Sequence, residues 1–174
     1  MKRIENVLKR KEWQELNALL NTHSFPWYYM NTTAYDYEQP TPWGFSFFHM
    51  LLDKGHPVSN YWISFRSIVE FLAKMSGVQN SYIGRVRLGL ITRTPKTIIH
   101  TPHVDFEVPH TTLLYYINKS DGNTLFYNNN KVIHENEYKH NSMMIFDGAI
   151  SHSSTTPIKH DTRIALNINL FPND

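Results

Sequence analysis

The sequence predicts a mainly β protein: an antiparallel double sheet of jelly-roll type (a double-stranded β-helix) with about eight strands and with helices packed on one sheet. Helical periodicity is confined to the part before residue 80. From residue 82 onward, short alternating or β-branched runs are separated by Gly, Pro, Asn and Asp. A length of 174 residues suits a single domain. We therefore predict one domain over 1–174, with a helical, aromatic-rich part at 1–80 and a jelly-roll core at 82–171.

Two helices are predicted in the first part of the chain. Residues 3–20 have apolar side chains at roughly helical spacing with Lys and Glu between them, which is typical of an amphipathic helix. A second helix is predicted between Ser59, a suitable N-cap, and Gly77, a suitable terminator. Its apolar stripe consists of Trp62, Phe65, Ile68, Val69, Leu72 and Met75.

The second half of the chain predicts strands joined by short turns. Stretches such as "NKSDGN" and "NNN" have the residue types that form tight turns. The predicted strands cover residues 82–92, 97–103, 111–118, 124–127, 131–134, 142–146, 152–155 and 162–171. Arg85, Arg87 and Arg93 share one parity along the first of these strands and directly after it, which favours a solvated face there, with a contact to a substrate as the alternative.

The segment 25–48 is unusually aromatic. It holds ten of the twenty-four aromatic side chains, and no Lys or Arg occurs between Lys11 and Lys54. Two interpretations stay open: the rings cover one face of the β core, or the segment is a lid over a substrate-binding mouth. Surfaces that stack single-stranded nucleic acid also need basic residues. This gap, together with a net charge of only +2, argues against nucleic acid as a partner.

Composition narrows the cellular setting. The chain has no cysteine, which excludes disulfides and thiolate ligands and fits a reducing cytoplasm, where we expect the protein. No apolar run approaches the roughly 18 residues that a membrane span needs, so we expect no membrane association. Ten histidines are the one compositional oddity.

Several of these histidines cluster in the stretch "IIHTPHVDFEVPH". Side chains two residues apart on an extended strand face the same way, so His103 and Asp105 can bind one metal ion together. A third ligand must come from farther along the chain. We prefer His152 because it begins a strand after "MMIF" and the turn "DGAIS". The other downstream candidates are His134, His140 and His160, and we expect these, with His100 and His110, to have no metal role.

An arginine follows His152 in a strand with clean alternation. In "TRIALNINL", Arg163, Ala165 and Asn167 share one face, while large aliphatic residues take the other. Arg163 therefore points into the predicted barrel. A buried guanidinium needs an anionic partner, and its planar fork fits a carboxylate.

Two imidazoles and one carboxylate on one side of a metal form the facial triad of non-heme Fe(II) oxygenases. The sequence resembles the 2-oxoglutarate- and Fe(II)-dependent oxygenases, and among them the prolyl-hydroxylase-like branch. The resemblance lies in His103-Val104-Asp105, "TTLLYYIN", "DGNTLFY", "SMMIFDGAISHSS" and Arg163, over roughly residues 82–171. It implies that His103, Asp105 and His152 ligate iron. It further implies that Arg163 and Tyr116 bind the distal carboxylate of 2-oxoglutarate.

The resemblance implies an enzyme with Fe(II), 2-oxoglutarate and O2 as cofactor and cosubstrates. It would hydroxylate a peptidyl residue, proline by analogy, or a free amino acid, and release succinate and CO2. The partner would thus be a peptide or a small molecule. The alternative is a non-catalytic, cupin-like module that binds a metal or a metabolite, and this alternative gives Arg163 no role.

Overall fold

A computed structural model of the chain describes residues 1–34 and 42–173. Within these ranges the chain forms two helices, α1 (Arg10–Leu20) and α2 (Trp62–Ser76), and eleven strands. The strands are β1 (Lys2–Glu5), β2 (Tyr28–Met30), β3 (Ser46–Asp53), β4 (His56–Pro57), β5 (Ser81–Thr92), β6 (Thr111–Tyr116), β7 (Thr124–Asn128), β8 (Lys131–Asn136), β9 (Ser142–Asp147), β10 (His152–Ser154) and β11 (Thr162–Pro172). Neither helix is long and apolar enough to cross a membrane.

The strands form two antiparallel sheets. The major sheet has the order β1-β9-β6-β11-β5-β3-β2, with β4 paired to β3, and the minor sheet has the order β10-β7-β8. Phe126 of the minor sheet packs against Tyr116, Phe146 and Ala165 of the major sheet, so a small core lies between the two. This arrangement confirms the predicted mainly β, jelly-roll fold.

The larger core lies on the opposite face of the major sheet. Leu166 and Ile168 of β11 are fully buried there, together with Phe65 and Leu72 of α2. The predicted apolar stripe of the second helix therefore covers one sheet, as expected for an amphipathic helix on a sheet face. Alternation along β11 leaves the polar and small residues on the inner face, which is the face that carries the site described below.

The predicted first helix is wrong over its first seven residues. The helix begins at Arg10, because Lys2–Glu5 form β1 and pair with the outer edge of β9. The Ile4–Met143 register puts Ile4 against the main core. Periodicity does not distinguish a helix from a strand over these few residues. The apolar Ile4 fits the helical period and the strand period equally well as long as the partner strand β9 is unknown.

Two strands in the aromatic segment were not predicted. β2 lies wholly within 25–48, and β3 begins at Ser46; residues 35–41 of that segment lie outside the described residues. β3 has a nearly continuous apolar run, "FFHMLL", because both of its faces are covered. A run of this kind gives no alternation to recognise as a strand.

The strand predicted at 97–103 is absent. Between β5 and β6 the chain makes only two isolated bridges, Ile99–Thr155 and His103–His152. Pro95, Pro102 and Pro109 recur through this segment. Since proline has no N–H to donate, a continuous ladder cannot form here.

Candidate metal centre

Two of the predicted ligands face each other across one backbone bridge. The His103 N–H donates to the His152 carbonyl at 3.0 Å, and the His152 N–H donates to the His103 carbonyl at 2.9 Å. Directly opposed residues of an antiparallel pair project to the same face, and the two ring centroids lie 4.8 Å apart. The predicted pair is therefore brought together although 49 positions separate the two residues in the sequence.

The orientation of both rings is set by the backbone. His103 Nδ1 lies 3.1 Å from the Thr101 carbonyl, and His152 Nδ1 lies 3.2 Å from the Ile150 carbonyl. Because a carbonyl only accepts, each Nδ1 carries the proton and each Nε2 has the lone pair that a metal requires. Burial, partly opposed by Asp105, lowers the pKa of His152 to about 4, so this ring is neutral at neutral pH.

The third predicted ligand, Asp105, is almost completely enclosed by donors. Arg85 Nη2 donates to Asp105 Oδ1 at 2.6 Å. Asn167 Nδ2 and Asn169 Nδ2 donate to Oδ2 at 3.0 and 2.9 Å, and Thr112 Oγ1 lies 3.4 Å from the same oxygen. The parity of Arg85 favoured a solvated face. This prediction is wrong for Arg85, because its side chain is largely buried against Asp105.

These donors decide the charge of the carboxylate. Burial by itself would raise the pKa of Asp105. The Arg85 guanidinium, the neighbouring His152 and the two asparagine amides outweigh burial and hold the pKa of Asp105 far below its usual range. The side chain is thus an anion at neutral pH.

His103, Asp105 and His152 form a compact group. One ligand atom from each lies within 4.8 Å of the other two, and no further group of this kind occurs in residues 1–34 and 42–173. The donors are two imidazoles and one carboxylate, the ligand types that suit a divalent transition metal. The residues present therefore fit a metal ion.

Arg163 lies on the wall of the same cavity, which has a volume of about 110 Å³. The side chain is 5% exposed; its Nε donates to the Gly122 carbonyl at 3.0 Å and its Nη2 to Thr124 Oγ1 at 2.9 Å. The rings of Tyr116 and Tyr138 lie 5.7 and 5.6 Å from its Cζ. Among the described residues no carboxylate pairs with this buried cation, so the cavity has one positive wall without an anion.

Tyr116 is fully buried behind this wall and does not itself line the cavity. Its hydroxyl donates to Thr124 Oγ1 at 2.8 Å and accepts from Asn136 Nδ2 at 2.7 Å. The predicted contact of Tyr116 with 2-oxoglutarate stays a prediction. Thr124, which contacts Tyr116, does line the cavity. The sequence did not single out this residue, because one threonine at the start of a strand is too common to be a signal.

Small residues keep the cavity open. Gly89 of β5 and Ala165 of β11 are paired in register, and both line the cavity. A Cβ added at Gly89 would meet no atom within 4 Å. Space next to Gly89 is therefore available to a bound molecule.

Comparison with known proteins identifies the fold. No protein-family model and no curated protein matches the sequence. An oxidoreductase of the 2OG-Fe(II) oxygenase family from Burkholderia pseudomallei is similar in structure, with a TM-score of 0.68 and 13% identity over 95% of this chain and 81% of that chain. A prolyl hydroxylase from Trichoplax adhaerens, in complex with a peptide fragment of hypoxia inducible factor, has a TM-score of 0.65 and 18% identity over 98% and 82%.

A third similar structure shows that the fold is not restricted to hydroxylases. The non-heme, alpha-ketoglutarate-dependent epimerase SnoN from nogalamycin biosynthesis has a TM-score of 0.64 and 11% identity, over 98% of this chain and 76% of that one. The chain thus has the fold of the 2-oxoglutarate- and Fe(II)-dependent oxygenases, prolyl hydroxylases among them. The resemblance noted in the sequence is confirmed at the level of the fold.

Proposed function

We propose that the protein is a 2-oxoglutarate- and Fe(II)-dependent dioxygenase. One observation carries the proposal: a group of two imidazoles and one carboxylate shares a cavity with a buried arginine that has no carboxylate partner among the described residues. A metal site alone would not require Arg163. A cosubstrate that binds the metal at one end and has a second carboxylate at the other end uses both features.

His103, Asp105 and His152 would hold the iron. Their imidazole and carboxylate donors suit Fe(II), and three protein ligands leave coordination positions for other molecules. When bound, iron and 2-oxoglutarate supply the oxidising chemistry: a substrate C–H, O2 and 2-oxoglutarate become a substrate C–OH, succinate and CO2. The protein contributes two imidazoles of fixed orientation and a carboxylate that stays ionised.

Arg163 and Thr124 would bind the distal carboxylate of 2-oxoglutarate. Thr124 Oγ1 already accepts from Arg163 Nη2 and from the Tyr116 hydroxyl. With both acceptor positions used, the Thr124 O–H is left to donate, and Thr124 lines the cavity. A cation and a hydroxyl donor on the same wall match one carboxylate, and charge-assisted hydrogen bonds of this kind are strong in a buried site.

Hydroxylation of a peptidyl residue, proline-like, or of a free amino acid is our proposal for the substrate. It is supported by the likeness in fold to a prolyl hydroxylase that was solved with a peptide. The cavity also extends to Thr33 and Phe47 at the aromatic part of the chain, which fits a mouth lined by that segment. A non-catalytic, cupin-like module is the rival function, and the buried Arg163 disfavours it.

Anaerobic binding of Fe(II) and 2-oxoglutarate is the first test. We expect a visible charge-transfer band that needs both components, and we expect it to disappear in His152→Ala. Arg163→Met should weaken 2-oxoglutarate binding by about 100-fold, equivalent to about 3 kcal/mol, while metal binding persists. Arg93→Met, at a surface arginine with a 56% exposed side chain, is the matched control.

Two results would contradict the proposal. One is metal binding without any band in the presence of 2-oxoglutarate. The other is equal loss of metal and 2-oxoglutarate binding in Arg163→Met. If the chain passes both tests, screening of succinate release against peptides and free amino acids would identify the substrate class.

A further inference from the structure

The three proposed ligands are held in place in two different ways. His103 and His152 are fixed by their mutual backbone hydrogen bonds. Asp105 lies in the proline-interrupted segment between β5 and β6, which forms no strand. No backbone hydrogen bond in the described part of the chain involves Asp105. Its position therefore depends on side-chain contacts.

Arg85 makes the strongest of these contacts and is itself rigidly held. Its Nη2 donates to Asp105 Oδ1 at 2.6 Å, and its Nε donates to Asn169 Oδ1 at 2.9 Å. Its Cζ also lies 4.4 Å from the centre of the Phe106 ring. The guanidinium thus contacts two consecutive residues of the irregular segment, Asp105 and Phe106, and connects them to β5 and β11. The planar fork of arginine can bridge two oxygens in this way, which a lysine ammonium on a flexible stem does not do.

The hydrogen bonds divide the two oxygens of Asp105 into different roles. Oδ2 receives the amides of Asn167 and Asn169, with the Thr112 hydroxyl close by, so both of its lone pairs are used. Oδ1 receives only Arg85 Nη2 and keeps one lone pair. Oδ1 is therefore the oxygen of Asp105 that keeps a lone pair for a metal bound next to the two histidines.

We propose that Arg85 is a positioning residue that, with Asn169, holds Asp105 as a single-oxygen ligand of the metal. This inference rests on the proposed metal centre. Arg85 fixes the position of the Asp105 carboxylate, as the backbone bridge fixes the positions of the two histidines. Its role is geometric: the positive charge alone would repel a divalent cation, so the benefit comes from the fixed position of Oδ1.

The test is metal titration of the full chain with Co(II), whose visible spectrum reports the geometry of its ligands. Arg85→Lys keeps the charge and loses the fork, and we expect Co(II) affinity to fall by about 10- to 100-fold with a changed spectrum. Arg85→Met should lose as much. Asn169→Ser removes the acceptor of Arg85 Nε and one of the two amide donors to Asp105 Oδ2. We expect a loss of about 3- to 10-fold, which keeps the inference testable should the Arg85 variants not fold.

Arg93→Met is the control, because Arg93 directly follows β5, has a 56% exposed side chain and pairs with Asp161 outside the cavity, so Co(II) affinity and spectrum should stay as in wild type. Wild-type affinity and an unchanged spectrum in Arg85→Lys would overturn the inference, and so would tighter binding in Arg85→Met. The same holds for wild-type behaviour of Asn169→Ser. Failure of the wild-type chain to bind Co(II) or Fe(II) would instead overturn the proposed function.

Discussion

The two faces of the β5–β11 pair have opposite characters. On the outer face, Leu88 and Leu166 are fully buried in the apolar core below α2. On the inner face of the same strands lie Arg85, which binds Asp105, and Arg163 and Asn167, which line the cavity. Because successive side chains of a strand point to opposite faces, one pair of strands separates the residues that stabilise the fold from those of the candidate metal centre.

The two faces contribute differently to the stability of the fold. The outer face buries hydrocarbon, which stabilises the fold in proportion to the area removed from water. The inner face buries ions and amides, whose desolvation cost is offset only while each keeps its partner. We therefore expect substitutions on the two faces to have separable effects on ligand binding and on folding.

The largest effect is expected at the inner face, for His152→Ala. Removal of one of the three proposed ligands should lower 2-oxoglutarate-dependent succinate release by at least about 1000-fold, a change of about 4 kcal/mol in the reaction barrier. Stability should change by less than about 2 kcal/mol, since only one imidazole and its hydrogen bond to the Ile150 carbonyl are lost. Turnover and urea denaturation measure the two quantities, and turnover within tenfold of wild type would show that His152 is not a ligand.

Leu166→Ala should have the converse effect at the outer face. Leu166 is fully buried, so its truncation should lower the free energy of unfolding by about 2–5 kcal/mol. Metal affinity of the folded protein should stay within about twofold of wild type. A large loss of affinity without loss of stability would show that the two faces are not independent.

Protonation of His152, on the inner face, should lower the free energy of unfolding in acid. Its pKa is about 4 in the folded chain and about 6.5 when unfolded, so between these values the unfolded state binds more protons. The free energy of unfolding of the metal-free protein should therefore fall as pH is lowered from 6.5 to 4, by no more than about 3 kcal/mol. Asp105 is ionised throughout this window. His152→Gln should lack this contribution, and parallel curves for the two proteins would contradict the shift.

The smallest expected effect is that of Gly89→Val. A Cβ at this position meets no atom within 4 Å, and valine favours strands, so stability should stay equal or rise by up to about 1 kcal/mol. The added methyl groups enter the cavity, and we expect the KM for 2-oxoglutarate to rise by about tenfold, or about 1.4 kcal/mol. Gly77→Val, at a left-handed C-cap position far from the cavity, should cost stability without raising this KM.

Much of the site was predictable because it depends on short-range rules. The alternation in "TRIALNINL" placed Arg163 on the inner face, where the structure has it. The parity of His103 and Asp105, and the turn before His152, selected the three residues that the structure brings together. The Arg85–Asp105 pair was not predictable, since no rule of spacing joins a strand residue to an irregular segment 20 positions later.

The sequence by itself determined the periodicity of each element and the chemical type of each side chain, and hence the β fold, α2 and the set of candidate ligands. Only the tertiary structure decided which strand pairs with which: β1 with β9, β2 with β3, and the bridge that joins His103 to His152. The physical reason is that period and polarity are properties of neighbouring residues. The partner of a strand or of a buried charge depends instead on the register of distant segments, which only the folded chain fixes.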